Sequence, residues 1–244
     1  MNPIDARPWL SIVIPVYNEA QVLPGVLQRL QVWRSHRVEV VVVDGGSSDG
    51  SVAIARQWSD RVEVSALGRA AQMNAGAALA TGHNLLFLHA DTELPDLALP
   101  YLAQLLWLDA NDESNEIAKV WGRFDVEIVG RSPWLRLVGF MMNWRSRLSG
   151  IATGDQALFM SAVLFKAVGG FPQQALMEDV EICRRLKAWT APKCAGLKVK
   201  TSGRRWEANG VWFTIWLMWR LRWLYFRGEH PQRLADLYRA SKSR

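Results

Sequence analysis

Residues 38–50 read Val38-Glu39-Val40-Val41-Val42-Val43-Asp44-Gly45-Gly46-Ser47-Ser48-Asp49-Gly50. A valine-rich apolar run ended by a carboxylate and two glycines is a strand covered on both faces that stops at a loop. The same plan appears upstream. Trp9 to Val16 is almost wholly apolar, Tyr17-Asn18-Glu19 forms the loop, and Val22, Val26, Leu27 and Leu30 then recur at helical spacing. Downstream, Val52, Ala53 and Ala55 fall in a helix, Val62 to Ser65 reads as a short third strand, Ala70 to Ala80 as a helix and Leu85 to Leu88 as a fourth strand. Strand and helix alternate every 20 to 25 residues, the spacing of βαβ units built on a parallel sheet.

After residue 90 the pattern loosens. Leu97 to Leu108 predicts a helix, Asn111 to Glu116 a polar turn, Val120 to Val129 a strand open to antiparallel pairing, and Trp134 to Leu148 a helix opened by Pro133. Ala157 to Met160 reads as a strand and Asp179 to Trp189 as a helix, acidic at its start and basic towards its end, the charge order a helix dipole favours. With no repeat and no Pro/Gly/Ser linker, the expected division is one α/β domain over 1–209, in two halves at about 10–95 and about 96–209. A helical extension follows over 210–244.

With 244 residues, half of them apolar, the chain builds a sizeable core. Its two cysteines, Cys183 and Cys194, form neither a disulfide scaffold nor a C-x-x-C pair and read as reduced thiols. The opening MNPIDARPWL does not resemble a secretory leader, so the expected location is the cytoplasm, with peripheral attachment to the inner face of the cell membrane as an extension of it. The net charge of +6 is uneven: Gly196 to Arg244 holds eleven Lys or Arg against three Asp or Glu. Five of the thirteen tryptophans lie in that same stretch.

Ligands of open parallel sheets bind beyond the carboxyl ends of the strands. The loops that matter are therefore Pro15 to Glu19, Asp44 to Gly50, Leu67 to Asn74 and His89 to Pro95. Asp44 suits a base or ribose, or alternatively an Asx-turn. His89 and Asp91, two apart, share a face and suit a divalent ion, or Asp91 caps a turn. Glu178-Asp179 is either helix-start charge placement or a general base beside an acceptor hydroxyl. Arg204-Arg205-Trp206 suits a phosphate clamp with a stacking surface, or a solvated loop. Neither Gly-x-Gly-x-x-Gly nor a Walker loop occurs, which argues against common dinucleotide and P-loop folds.

Taken in order, Ser11-Ile12-Val13-Ile14-Pro15-Val16-Tyr17-Asn18-Glu19, Val43 to Ser51, His89-Ala90-Asp91 and Glu178 to Leu186 resemble the family 2 glycosyltransferases of the GT-A fold. That likeness implies a Rossmann-like mixed sheet flanked by helices and an inverting transfer from a nucleoside-diphosphate sugar to a small or lipid-linked hydroxyl acceptor. It gives Asp44 the base or ribose, lets Pro15, Tyr17 and Glu19 line the same pocket, and puts Arg69 and Asn74 near the nucleotide. Asp91 becomes the metal-binding residue of a D-x-D motif, Asp179 the general base and Glu178 its helper. Arg205-Trp206 is similar to the end of a Q-x-x-R-W motif, with Ser202 where Gln would stand. Within the family, Gly68 to Asn74 and Thr201 to Glu207 resemble a bacterial subgroup linked by gene association to arsenosugar biosynthesis.

Two departures bear on chemistry. Gly45 replaces one nucleotide-facing carboxylate, and His89 replaces the first Asp of D-x-D. Imidazole ligates Mn²⁺ more readily than Mg²⁺, which leaves His89 as a ligand of Mn²⁺ or as a neutral neighbour. A nucleotidyltransferase is the alternative within the same sheet architecture, but it needs a glycine-rich basic loop where Tyr17-Asn18-Glu19 stands. A catalytically silent membrane or nucleic-acid binder is the other, and the tryptophans set among Leu, Ile and Met argue against nucleic acid.

Only 12 uncharged residues separate Glu207 from Arg220, too few to span a bilayer. On a helix, Trp212, Trp216, Trp219, Trp223 and Phe226 form one stripe, with Leu217, Leu221 and Leu224 opposite. Three placements are open for it: a membrane interface, a homodimer contact, or core. His230-Pro231 ends this helix and Leu234, Leu237 and Tyr238 begin a last short one.

Overall fold

The computed structural model describes residues 7–108 and 119–241, so the turn expected at Asn111–Glu116 lies outside the described residues. Strands β1 (Leu10–Val16), β2 (Val38–Asp44), β3 (Arg61–Val64) and β4 (Asn84–Phe87) run parallel in the spatial order β3-β2-β1-β4. Helices α1 (Leu23–Arg34), α2 (Ser51–Trp58) and α3 (Arg69–Leu79) make the crossovers. Successive strand residues face opposite sides. Ile12, Ile14, Val40 and Leu86 therefore enter one apolar layer with Leu23 and Leu27 of α1, and Val13, Leu85 and Phe87 enter another with Met73 and Ala77 of α3. A Cβ at Gly76 would strike the side chains of Val13 and Val43, so α3 lies as close to the sheet as glycine permits.

The second half adds β5 (Thr92–Glu93), α4 (Ala98–Leu108), β6 (Trp121–Val129), α5 (Trp134–Ser149), a 3-10 turn at Gly154–Gln156, β7 (Leu158–Ser161), α6 (Ala162–Ala167), α7 (Glu178–Lys187) and β8 (Lys193–Ser202). These strands continue the sheet as β4-β7-β6-β8-β5. β7 is antiparallel to β4 and to β6, whereas β6 and β8 are parallel, so the sheet is mixed. Strands β5 and β8 have no counterpart in the sequence reading. In β8, Lys193, Lys198 and Lys200 point outward while Ala195, Val199 and Thr201 are buried, and a register shift opposite Phe124/Asp125 interrupts the alternation. Lysine is depleted in strands and the bulge breaks the period of two, which together mask the pattern.

Helices α8 (Arg204–Asn209), α9 (Val211–Phe226) and α10 (Pro231–Ala240) complete the described chain. On α9 the leucine side is core: Leu217 and Leu221 join Leu234 of α10 in the second apolar layer. Its tryptophan side faces outward, with Trp212, Trp216, Trp219, Trp223 and Phe226 all exposed. Among the described residues no helix is long and apolar enough to cross a membrane.

Candidate active site

The carboxyl ends of β1 and β2 bring the first two loops together. Gly45 donates its N–H to the Val16 carbonyl, Asn18 adopts a left-handed φ of 54°, and its side chain accepts from Ser48 N–H at 2.9 Å. Ser47 Oγ accepts from Asn18 N–H and Ser51 Oγ from Glu19 N–H, stitching the first loop to the second. Gln72, buried on α3, donates to the carbonyls of both Val16 and Val43 and pins the two strand ends. Pro15 sits inside β1 opposite Val43, and Tyr17 is exposed at the rim.

Asp44 forms the Asx-turn that is one of its two sequence interpretations. Its Oδ1 accepts from Gly46 N–H at 2.8 Å and Ser47 N–H at 2.7 Å, which is the Asx-turn. Its Oδ2 is buried and has no hydrogen-bond partner among the described residues. A buried unpaired carboxylate oxygen costs about 1–3 kcal/mol or more, so a donor from outside the chain is the expected complement.

Arg204, at the start of α8, lies 3.5 Å from Glu19 and 3.9 Å from Asp91, joining the β1 loop to the segment after β4. Trp206 packs against the first apolar layer, and Arg205 is exposed. Asn74 spends its whole amide on Phe171: Nδ2 donates to the Phe171 carbonyl and Oδ1 accepts from its N–H.

His89 is buried, with Nδ1 3.2 Å from Asp155 Oδ1. Its Nε2 side is closed by Gly154, where an added Cβ would fall 2.5 Å from Nε2. Asp155 had no sequence signal. It stands in the 3-10 turn before β7, which a buried polar network fixes. Asn143 of α5 binds the N–H and carbonyl of Val126, while Gln156 Nε2 donates to Asn143 Oδ1 and Ser146 Oγ. Burial works against ionisation of Asp155. The hydrogen bond and charge of His89, with the charges of Arg69 and Arg205, outweigh it and hold the carboxyl well below the usual range.

Glu178 and Asp179 open α7 after Met177, whose φ is 66°. The two carboxyls divide: Glu178 is buried, and burial together with the charge of Asp179 pushes its pKa up. Asp179 is partly open, and its Oδ2 accepts from Gly154 N–H at 3.1 Å. Both line a narrow cleft with Met73, Phe87, His89, Gly154 and Phe171. Burial opposes the charge on Arg69, but Glu178, Asp155 and Asp179 together raise its pKa. Two further arginines, Arg145 of α5 and Arg222 of α9, feel the charge of Asp179, an association that the sequence alone does not reveal. Their signal is helical position beside exposed tryptophans, which does not by itself distinguish a site residue from a solvated one.

Among the described residues no three His, Cys, Asp or Glu side chains gather into a metal cage. A divalent ion shared with a diphosphate needs only one or two carboxylates from the protein, and Asp91, whose nearest ion-pair partner among the described residues is Arg204 at 3.9 Å, is a candidate for that role.

The chain is 33% identical over 144 residues to the undecaprenyl-phosphate 4-deoxy-4-formamido-L-arabinose transferase of Pseudomonas savastanoi pv. phaseolicola, covering 53% of this chain and 42% of that one. It thus spans less than half the length of that curated relative. Two solved structures share the fold. The mannosyltransferase PcManGT of Pyrobaculum calidifontis, in complex with GDP-Man and Mn²⁺, superposes with a TM-score of 0.56 at 24% identity, over 80% of this chain and 56% of that one. TarS of S. aureus, in complex with UDP-GlcNAc, gives 0.58 at 18%, over 79% and 58%. Residues 11–165 match the family described as glycosyl transferase family 2, and with the mixed α/β sheet and the loops at its carboxyl edge, the chain belongs to that family.

Proposed function

We propose that the protein transfers a sugar from a nucleoside-diphosphate sugar to a hydroxyl acceptor with inversion. The observation that carries this reading is the buried, unpartnered Oδ2 of Asp44, which asks for a base or ribose donor at the end of β2. Pro15, Tyr17 and Glu19 border that position, and Arg69 and Arg205 supply positive charge for a diphosphate. Asp91 would hold a divalent ion, which when bound neutralises the charge that develops on the leaving diphosphate. His89, enclosed between Asp155 and Gly154, serves as the neighbour that orients Asp155. Asp179 is the general base: it is open to the cleft and held by the Gly154 N–H, whereas Glu178 is buried beneath it. Such a base contributes about 10² to 10⁴ in rate, and charge stabilisation of the leaving group supplies most of the remainder. Proteins of the same fold solved with GDP-Man and Mn²⁺ or with UDP-GlcNAc support a nucleotide-sugar donor and a divalent ion.

The motifs at Gly68–Asn74 and Thr201–Glu207 support a place in the bacterial subgroup associated with arsenosugar biosynthesis, an association that leaves the acceptor open. The test is calorimetric titration of the parent, D44A and D91A with UDP and GDP in Mn²⁺, alongside a hydrolysis screen of UDP-, GDP- and dTDP-sugars. Nucleotide binding that is lost in D44A and made metal-independent in D91A is expected. Equal affinities in all three proteins would remove both residues from the donor site.

A further inference from the structure

His89 stands where the D-x-D pattern has its first carboxylate, and the fold leaves neither of its ring nitrogens open to a cation. Nδ1 lies 3.2 Å from Asp155 Oδ1. An ionised carboxylate only accepts, so this nitrogen carries a hydrogen and donates it. Nε2 faces Gly154, where even a methyl group would fall 2.5 Å away. The partner His89 does take belongs to the turn that touches the proposed base. Gly154 donates its N–H to Asp179 Oδ2 at 3.1 Å, and Asp179 Oδ1 accepts from the N–H of Val180 at 2.8 Å. Two backbone N–H groups therefore aim Asp179, one from its own helix and one from across the cleft. Only the second can drift relative to α7.

The turn that supplies it is held on two sides. At its rear Gln156 accepts from Thr153 N–H and donates to Asn143 and Ser146 of α5. Towards the cleft its anchor is Asp155, through His89. His89 is a firm support, because its carbonyl accepts from Thr92 N–H and the preceding Leu88 N–H donates to the Val13 carbonyl of the parallel sheet. Both segments that meet at the Gly154–Asp179 bond also carry strained backbone. Ala157, wholly buried at the exit of the turn, has φ 47°, and Met177, at the entrance to α7, has φ 66°. Left-handed residues other than glycine persist where their surroundings over-determine them, and they gather at functional sites. Release of the turn would draw the Gly154 N–H away from Asp179.

We propose that His89 and Asp155 form a brace that positions Asp179 for proton removal and that the pair takes no part in holding the divalent ion. The proposal rests on the glycosyltransferase reading for the work of Asp179. Histidine at position 89 thereby exchanges a ligand for a support, and Asp91 is left as the ion's carboxylate. Misplacing a reacting group by about 1 Å costs on the order of 10² in rate, so loss of the brace should slow the chemical step and spare donor binding.

Three measurements on the full chain test this. In calorimetry, UDP or GDP with Mn²⁺ should bind D155A, H89L and the parent alike, whereas D91A abolishes the dependence on Mn²⁺. Hydrolysis of the nucleotide sugar that the parent turns over fastest, with water as acceptor, should fall in D155A and H89L by about 10- to 100-fold in kcat at unchanged KM. D155N, whose amide oxygen still accepts from Nδ1, should recover most of that loss. In a D179N background D155A should cost nothing further, the non-additivity of residues that act through one group. The third measurement needs no turnover. Labelling threonine at its carbonyl carbon and glycine at its nitrogen selects the Gly82 and Gly154 amides in NMR, because Thr81-Gly82 and Thr153-Gly154 are the only Thr-Gly pairs in the sequence. The Gly154 signal should move in D179N, D155A and H89L and return in D155N. Thermal unfolding checks each variant, and H89L decides the case if D155A does not fold. Nucleotide binding weakened in D155A and H89L in step with D91A would make the pair part of the ion site and overturn the proposal. So would unchanged hydrolysis, a further loss in the D179N background, or a Gly154 signal that ignores both variants. If D179N hydrolyses like the parent, or no sugar is hydrolysed, the base reading fails as a separate result, and the Gly154 signal alone decides whether the pair holds Asp179.

Discussion

At the residue scale the proposed mechanism gives neighbouring carboxyls opposite work. D179N keeps the size of the side chain and removes the proton acceptor, so single-turnover transfer should fall by about 10² or more while donor affinity holds. Near-normal transfer by D179N beside a folded but inactive E178Q would exchange their roles. Glu178 also sets a pH dependence. Its folded pKa lies above the unfolded value of about 4.3, so the unfolded chain ionises first, and the parent loses stability as pH rises from there towards the folded pKa. E178Q carries no such penalty. Its urea midpoint should gain on the parent's above that pH and match it more closely below; a difference independent of pH would mean Glu178 does not titrate in this window. Gly154 is the third lever. An alanine there would press on the His89 ring, which Asp155 holds in place, and overpacking of this kind costs about 1–3 kcal/mol. A G154A midpoint within a degree of the parent's would show that the ring turns freely.

At the element scale the two sides of α9 should respond differently. Leu221 is fully buried in the second apolar layer, so L221A should cost about 2–5 kcal/mol, whereas W219A, on a residue 67% exposed, should stay within about 0.5 kcal/mol. Chemical denaturation of both checks this, and equal losses would mean the tryptophan side is covered by packing. The same helix shows what sequence makes legible. Its period of 3.6 marks two apolar sides, but periodicity carries no sign that says which one meets the domain; the apolar layer of Leu164, Phe165 and Leu186, far along the chain, decides that. The parallel strands were readable because both-face burial leaves unbroken valine runs such as Val40 to Val43. Strand β8 was hidden by its outward lysines and its bulge. Among the candidate site residues, Asp44, Asp91 and Asp179 each follow an apolar run or open a helix and so announce themselves, while Asp155 acquires meaning only from partners that folding brings near.

At the scale of the whole molecule, the last 30 described residues are bound into the second apolar layer and into the site together. Leu217, Leu221 and Leu234 pack there with Leu164, Phe165 and Leu186. Tyr225 donates its hydroxyl to Glu181 of α7 at 3.3 Å, two residues beyond Asp179. A chain ended after Asn209 therefore loses three buried leucines, each worth about 1.5–3 kcal/mol, against a total stability of about 5–15 kcal/mol for a domain. The truncated protein should lack a cooperative thermal transition, bind a hydrophobic dye through the uncovered layer, and fail to bind nucleotide in calorimetry even though residues 11–165 remain present. A truncated chain that unfolds cooperatively near the parent's midpoint and still binds nucleotide would instead make 210–244 a dispensable extension. In that case the apolar layer beneath α9 would have to be closed by rearrangement of α7 and α6, which a shift in their hydrogen-exchange protection would reveal.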